Sequence, residues 1–355
     1  MKIMTKFALL SVLILVVSLL TVSTSSVMAQ NALIPSSVKD SAKSWINGKI
    51  SDNDFLAALQ QLVNNGMLVI TTQNHSPSPS TNMNCMTAAR AGIDWSGCDL
   101  SGRNLSGVNL SGADLSDSIL KGVDLSKANI SGADLSGANL YGANLAGANL
   151  QGTKFYGTNF KNANLNGAML SDAKFAGANL ENANLSGADL AFESLVDVKL
   201  TGTNLSNSDL SGADLSRADL SNAKLTNGKF YGTNFGDAIL KGTDLSNSDL
   251  AGANFFNANM EGVNLSSSDL PDVNLSFADL TGSNLSGTNL VNSKMTWTKL
   301  GQAKLEGADL SGVDFTNGDL TGADLKNADM TGAKLDNAKL FNAIRLCLNN
   351  PICVE

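Results

Sequence analysis

Residues 131–150 read SGADLSGANLYGANLAGANL, which divides into the four words SGADL, SGANL, YGANL and AGANL. A leucine therefore returns every five residues, a period that neither regular secondary structure has. An α-helix advances about 100° per residue, so this period would spread the leucines around its whole circumference. A flat strand would place successive leucines on opposite faces. The stretch therefore predicts a fold that turns once in every block.

The same phase extends far beyond this stretch. Fifty consecutive blocks, from the one that ends at Trp95 to the one that ends at Leu340, close on Leu, Ile, Phe, Met or Trp without an insertion. The residue two positions earlier is usually Ala, and the residue between them is usually Asp, Asn or Lys. Alternation within a block points the large and small residues inward and the polar one outward. Gly or Asn follows where the chain turns, because both tolerate positive φ.

The phenylalanines indicate how many blocks complete one coil. Several of those at block ends differ by multiples of twenty residues: Phe155, Phe175, Phe235, Phe255 and Phe315. A coil of four blocks would place these rings in one interior column. With coils about 4.8 Å apart, the repeats would form about twelve coils and a rod about 60 Å long.

The tandem words A(D/N)LxG over 95–340 resemble the signature of the pentapeptide-repeat family. The resemblance implies an all-β solenoid, a right-handed four-sided parallel β-helix, in agreement with the spacing of the phenylalanines. It also implies an alternative function for this chain, because some members of the family mimic DNA and bind type II topoisomerase.

The first residues indicate export. Lys2 and Lys6 precede an apolar run over 7–22, and a small-residue cleavage site ends at Ala29. These features predict a secretory signal peptide over 1–29, cut after Ala29, and a secreted or cell-surface protein. A retained membrane anchor is the alternative, because the run approaches spanning length. After cleavage we expect no membrane span.

Residues 30–70 predict a small α-helical module in front of the solenoid. Apolar residues recur at helical spacing on both sides of Gly48, around Trp45 and around Leu59. The words Trp45-x-x-Gly48 and those around them resemble a module of exported archaeal proteins, which implies an envelope setting. Residues 71–82, TTQNHSPSPSTN, predict an extended Ser/Pro-rich linker.

Both ends of the solenoid need caps, because an open edge of a sheet recruits other chains. We expect an N-terminal cap over 83–94, with a helical start, and a C-terminal cap over 341–355. The sequence FNAIRLCLNN at 341–350 predicts an amphipathic helix in that second cap.

The four cysteines are Cys85, Cys98, Cys347 and Cys353. A disulfide needs Cα atoms within about 7 Å, whereas the two ends should stand about 60 Å apart. The pairs Cys85–Cys98 and Cys347–Cys353 are therefore expected, in keeping with an oxidising compartment. Four free thiols are the alternative, since Cys98 occupies an inward slot that suits a reduced cysteine.

The repeats contain no recognisable catalytic constellation. The only histidine of the chain, His75, lies in the linker, so the repeats have no imidazole base or imidazole metal ligand. The glycines recur as turn residues and not as a phosphate-binding loop. We therefore predict a protein that is not an enzyme and has no cofactor and no metal centre.

Two outward columns are candidate sites. Six aspartates share one twenty-residue phase, and their carboxylates suit calcium; a solvated face that supports the turns is the alternative. We define this acidic column as Asp189, Asp209, Asp249, Asp269, Asp309 and Asp329. The second column is aromatic: Phe256, Phe277 and Trp297 fall at neighbouring outward positions. Such rings predict a platform for sugar rings or a protein partner, with shielding of the turns as the alternative.

Glu193 occupies an inward slot that usually holds Ala. Burial of an unpaired carboxylate is costly, so we expect a local bulge over 191–198 that lets Glu193 reach water.

The net charge of −8 argues against nucleic acid as a partner of this exported rod. The preferred function is a non-catalytic scaffold that presents a rigid β-helical rod to an extracellular protein or glycan. Self-association of the rods, end to end or side by side, stays open. The alternatives are an acidic, DNA-mimic-like protein that binds a topoisomerase and a β-helical polysaccharide-active enzyme.

Overall fold

The computed structural model describes residues 83–353, which belong to the second of two units of the chain, Pro79–Glu355. The predicted signal peptide at 1–29, helical module at 30–70 and linker at 71–82 lie outside the described residues.

One coil of the solenoid contains four blocks. The outward polar residue of a block forms a parallel β-bridge with the residue twenty positions later, from Asp94↔Asp114 to Asp324↔Ile344. The backbone bonds alternate in direction: Leu100 N donates to Ile119 O at 2.8 Å, and Ile119 N donates back to Cys98 O at 2.8 Å. Each strand is a single bridged residue between two turns. The fold is a right-handed four-sided β-helix, as predicted.

The inward positions form a continuous core of leucine and alanine with columns of aromatic rings. The rings of Phe155 and Phe175 are 5.3 Å apart and stacked, and those of Phe235 and Phe255 are 4.8 Å apart and stacked. The twenty-residue column of phenylalanines is therefore confirmed for these adjacent coils. Inward hydroxyls can pair with backbone carbonyls, as Thr153 Oγ1 donates to Ile130 O at 3.0 Å, whereas the buried Ser283 Oγ has no hydrogen-bond partner.

The two ends are closed differently. A 3₁₀ helix, Met83–Met86, begins the described chain, and the disulfide Cys85–Cys98 ties it to the first coil. Arg103 Nη1 donates to Cys85 O at 3.0 Å, and Ile93 and Trp95 lie fully buried beneath. The predicted helical start of the N-terminal cap is therefore limited to a single short turn of helix.

The predicted amphipathic helix at 341–350 is wrong. Ile344 bridges Asp324 and Leu348 bridges Asp329, so the chain continues the coil up to the disulfide Cys347–Cys353. A helix this short is marginal in water, whereas the edge of the preceding coil offers backbone partners directly. Both disulfide pairings are confirmed, and the alternative of four free thiols is wrong.

Glu193 marks a gap in the ladder of bridges. The bridge between Lys174 and Ser194 is missing, although the neighbouring pairs along the described repeats are bridged. The expected bulge over 191–198 is not present, because Phe192 keeps the usual positive φ and Ser194 bridges Asp214 in the next coil. The predicted escape of Glu193 to water is also wrong. Glu193 is only 8% exposed, and its carboxylate accepts a hydrogen bond from Asp172 N. Next to the missing bridge, the backbone N–H of Asp172 is therefore available to donate to the buried carboxylate of Glu193.

Burial raises the pKa of Glu193 above its ordinary value, and the hydrogen bond from Asp172 N opposes that rise. Lys174 also favours the charged form, whereas the carboxylates of Asp172 and Asp189 disfavour it. The folded protein therefore holds a proton on Glu193 more readily than the unfolded chain does. The resulting destabilisation is complete above the folded pKa and disappears as the pH falls to the unfolded value.

The second turn residue of each block has positive φ, for example 66° at Gly132 and 61° at Asn162. Gly, Asn and Asp hold most of these positions, because they tolerate the left-handed conformation. Three aromatic residues depart from this rule: Phe192, Phe277 and Trp297 have φ of 62°, 64° and 60°. A bulky residue in this conformation costs about 1–2 kcal/mol.

We predict that Glu193→Gln raises the free energy of unfolding at neutral pH. The amide oxygen can still accept from Asp172 N, while the charge is lost. Urea unfolding at several pH values should show this advantage shrink as the pH falls through the folded pKa of Glu193. Glu181→Gln is the control, because Glu181 is half-buried and pairs with Lys161 at 2.7 Å. A gain that does not depend on pH would contradict the prediction.

We also predict that Phe277→Asn and Trp297→Asn each raise the free energy of unfolding by up to about 1 kcal/mol, because asparagine tolerates positive φ. Urea unfolding measures the effect. Phe192→Asn relieves the same conformation, with φ of 62°, and should give a similar gain. A loss of about 1 kcal/mol or more in the first two variants would show that the rings cover the fold instead of straining it.

Candidate functional site

Phe256, Phe277 and Trp297 lie together on neighbouring coils and form the aromatic platform. Their side chains are 42%, 50% and 55% exposed. The rings of Phe256 and Phe277 are 5.5 Å apart and edge to face, and those of Phe277 and Trp297 are 6.4 Å apart and parallel. The structure therefore brings together the three rings that the sequence places on one surface.

The rings are not needed to satisfy the turns on which they lie. Phe277 N donates to Thr296 O at 3.0 Å and Trp297 N donates to Thr316 O at 3.0 Å. Glycine makes the same bond at the same turn position, since Gly282 N donates to Gly301 O at 2.8 Å. The backbone therefore makes the same bond with and without a ring, and shielding of the turns stays the alternative to a binding platform.

A row of amides borders the platform, and we call Asn234, Asn254 and Asn274 the asparagine ladder. Asn254 Nδ2 donates to Asn234 Oδ1 at 2.9 Å, and Asn274 Nδ2 donates to Asn254 Oδ1 at 3.1 Å. The row ends where Asn234 Nδ2 donates to Asp214 Oδ1 at 2.9 Å. Asn254 Oδ1 also accepts from Phe256 N at 3.2 Å, so the ladder fixes the backbone at one edge of the platform.

Polar side chains also continue the corner column beyond the rings. Asn257 Nδ2 donates to Asp237 Oδ1 at 2.7 Å before the rings, and Asn337 Nδ2 donates to Asn317 Oδ1 at 3.3 Å after them. On the adjacent face, Lys299 Nζ and Asp279 Oδ2 form an ion pair at 2.9 Å. The platform is therefore an apolar patch in a hydrogen-bonding surround.

The acidic column lies as the sequence predicts. Its members bridge one another in neighbouring coils, in the pairs Asp189↔Asp209, Asp249↔Asp269 and Asp309↔Asp329. The positions that interrupt the column compensate its charge or pair with it. Lys229 Nζ lies 3.4 Å from Asp209 Oδ2, and Asn289 Nδ2 donates to Asp269 Oδ1 at 2.7 Å.

The carboxylates of the acidic column support turns. Asp209 Oδ1 accepts from Ser211 N at 3.0 Å, and Asp329 Oδ1 accepts from Thr331 N at 3.0 Å. Burial opposes ionisation of Asp209, but its bonds from Ser211 and Lys229 hold the pKa below the usual value. Within residues 83–353 no group of three or more metal-ligating side chains converges. Cation binding by the column stays a prediction.

Sequence reasoning missed the asparagine ladder and a separate exposed ring. Phe192 is 83% exposed, and its ring lies against Gly212 on the next coil. The ladder had a signal, because asparagine repeats at twenty-residue spacing on the face beside the platform. Across the part of the chain that the structure describes, no helix has the length and apolarity needed to cross a bilayer.

Comparison with known proteins identifies the repeats. The family model described as Pentapeptide repeats matches in successive copies over residues 96–132, 124–162, 153–191, 194–230, 229–266, 268–307 and 308–344. A search of curated proteins finds no match.

Several solved structures are similar to the chain. HetL, a pentapeptide repeat protein involved in heterocyst differentiation regulation from the cyanobacterium Nostoc sp. strain PCC 7120, is 27% identical with a TM-score of 0.24, over 71% of this chain and 94% of HetL. Full-length QnrB1, a plasmid-mediated fluoroquinolone resistance protein, is 22% identical with a TM-score of 0.23, over 67% of this chain and 94% of QnrB1. A pentapeptide repeat protein from the thylakoid lumen of Arabidopsis thaliana is 28% identical with a TM-score of 0.11, over 41% of this chain and 67% of its own.

The assignment rests on the repeats themselves. The family model matches most of the chain, and the same residues build a coil of four five-residue blocks. The chain belongs to the pentapeptide-repeat family.

Proposed function

We propose that this protein is a non-catalytic scaffold of the cell exterior, which uses the aromatic platform to bind an envelope partner. The observation that carries the proposal is the grouping of exposed rings: Phe277 and Trp297, held in turns that favour Gly or Asn, have ring centroids 6.4 Å apart, and Phe256 lies beside Phe277. Strained, exposed residues concentrate at functional sites. Exposed apolar patches with polar rims are typical of interaction surfaces.

The predicted signal peptide at 1–29 and the envelope-type module at 30–70 support a location outside the cytoplasm. Two disulfides in the described residues fit an oxidising compartment. A solenoid held by bridges between successive coils is suited to presenting a surface rigidly, because each coil fixes its neighbours.

The two other functions have less support. A DNA mimic that binds a topoisomerase would need a cytoplasmic protein with a field of unpaired negative charge. Here the predicted signal directs export, and lysines pair with acidic residues across coils, as in Lys229–Asp209 and Lys154–Asp134. A polysaccharide-active enzyme would need a carboxylate free to act as acid or base. Asp209 and Asp329 are instead engaged by backbone donors.

The test is binding of the full chain to envelope material from the producing cells. Wild-type protein should sediment with that material, and the double variant Phe277→Asn, Trp297→Asn should bind about tenfold more weakly or worse. Phe192→Asn is the matched control, since it removes an exposed ring from the same turn position elsewhere. Retention of full binding by the double variant would refute a role for the platform. Fractionation should also recover the protein outside the cytoplasm.

A further inference from the structure

We propose that the aromatic platform and the asparagine ladder together bind a neutral polysaccharide chain that runs across successive coils. This inference rests on the proposed function, because it assigns a ligand class to the same platform. It adds Asn234, Asn254 and Asn274 to the site, and none of these residues was singled out by sequence.

The charge of the surface selects a neutral ligand. On the face that holds the asparagine ladder, the outward side chains pass from Asp214 through the three amides to Lys294 without a charge between them. The nearest charged pair on the adjacent face, Asp279 and Lys299, neutralises itself at 2.9 Å. Between these two ends, a charged polymer or a charged protein surface would meet no complementary charge.

The amides have spare hydrogen-bonding capacity. Each asparagine Nδ2 carries two N–H donors, and each ladder bond uses one of them. The oxygens of Asn234 and Asn254 are already doubly engaged, because each accepts from a ladder amide and from a backbone N–H. The ladder therefore presents a row of donors, which suits the hydroxyl and ring oxygens of sugars.

The aromatic rings supply the complementary contact. A sugar ring has apolar C–H faces and polar edges, so it is recognised by aromatic rings that lie beside hydrogen-bond donors. Phe256 connects the asparagine ladder to the platform. Its backbone N–H donates to Asn254 Oδ1 at 3.2 Å, and its ring centroid lies 5.5 Å from that of Phe277. Both features point to one ligand that touches the platform and the ladder at once.

The repetition of the site selects a chain over a single sugar. The ring contacts of 5.5 Å and 6.4 Å and the ladder bonds of 2.9 Å and 3.1 Å all join neighbouring coils. A linear ligand that crosses the coils would meet a new ring or amide at each step. A monosaccharide would contact only part of the site, so affinity should rise with ligand length.

The test is titration calorimetry of the full chain with cellohexaose, chitohexaose and mannohexaose, with their disaccharides, and with hyaluronan hexasaccharide as the anionic probe. At least one neutral hexasaccharide should bind, about tenfold or more tighter than its disaccharide, and hyaluronan should not. Phe277→Asn, Trp297→Asn should reduce binding about tenfold or more, and Phe192→Asn should not. Binding of none of the neutral hexasaccharides, or preference for hyaluronan, would overturn the inference.

A second variant tests the ladder. Asn274→Asp keeps the oxygen that accepts from Ser276 N at 3.2 Å and removes the amide donors. Aspartate occupies the same outward slot in other coils, as at Asp214, so the fold should be retained. Neutral hexasaccharide binding should weaken severalfold, and unchanged binding would exclude the ladder from the site.

Envelope material separates failure of this inference from failure of the proposed function. Periodate oxidation should abolish platform-dependent binding to that material, whereas protease digestion should leave it. The opposite result would identify a protein partner, which overturns the glycan assignment while leaving the platform as the binding surface. Binding that is unchanged by substitution of Phe277 and Trp297 would instead contradict the proposed function itself.

Discussion

The structure depends on pairing between coils. The residue at the end of each block donates its N–H to the next coil, and the outward residue before it donates to the previous one, as Leu100 and Ile119 do. A single block therefore has no partner of its own, and stability arises only between neighbours. Because the backbone and the inward side chains hold neighbouring coils together, the outward positions are free to vary. The residues that can carry function in this fold are therefore those of the outward columns.

Much of the fold could be predicted because the five-residue period is compatible with one geometry, a coil of four blocks. The spacing of Phe155, Phe175, Phe235 and Phe255 indicates four blocks per coil, and the distance between ends leaves only two disulfide pairings. The prediction of a C-terminal helix was wrong because it relied on the local helical pattern of residues 341–350. The open edge of the preceding coil instead offers bridges at Ile344 and Leu348. Local periodicity cannot reveal that edge.

The candidate site was predictable only in part, for a related reason. The rings of Phe277 and Trp297 stand out as rare residues in a regular word, so their position in the sequence suffices to place them. Asn254 and Asn274 do not stand out, because asparagine is an ordinary residue of the repeat. The role proposed for them depends on amide bonds between coils and on the rings beside them, which only the folded chain displays. Glu193 is similar, since its donor, Asp172 N, is released by a missing bridge.

The turns give the clearest physical separation between stability and function. Asn257 and Asn317 occupy the same corner column as Phe277 and Trp297 and hold the same left-handed conformation at lower cost. If only the fold mattered, asparagine would serve at all four positions, with amide bonds such as Asn257–Asp237 continuing along the column. The rings replace that arrangement with exposed apolar surface in a strained backbone. Such a departure costs stability in the isolated protein, and binding of the proposed ligand over the rings would offset that cost.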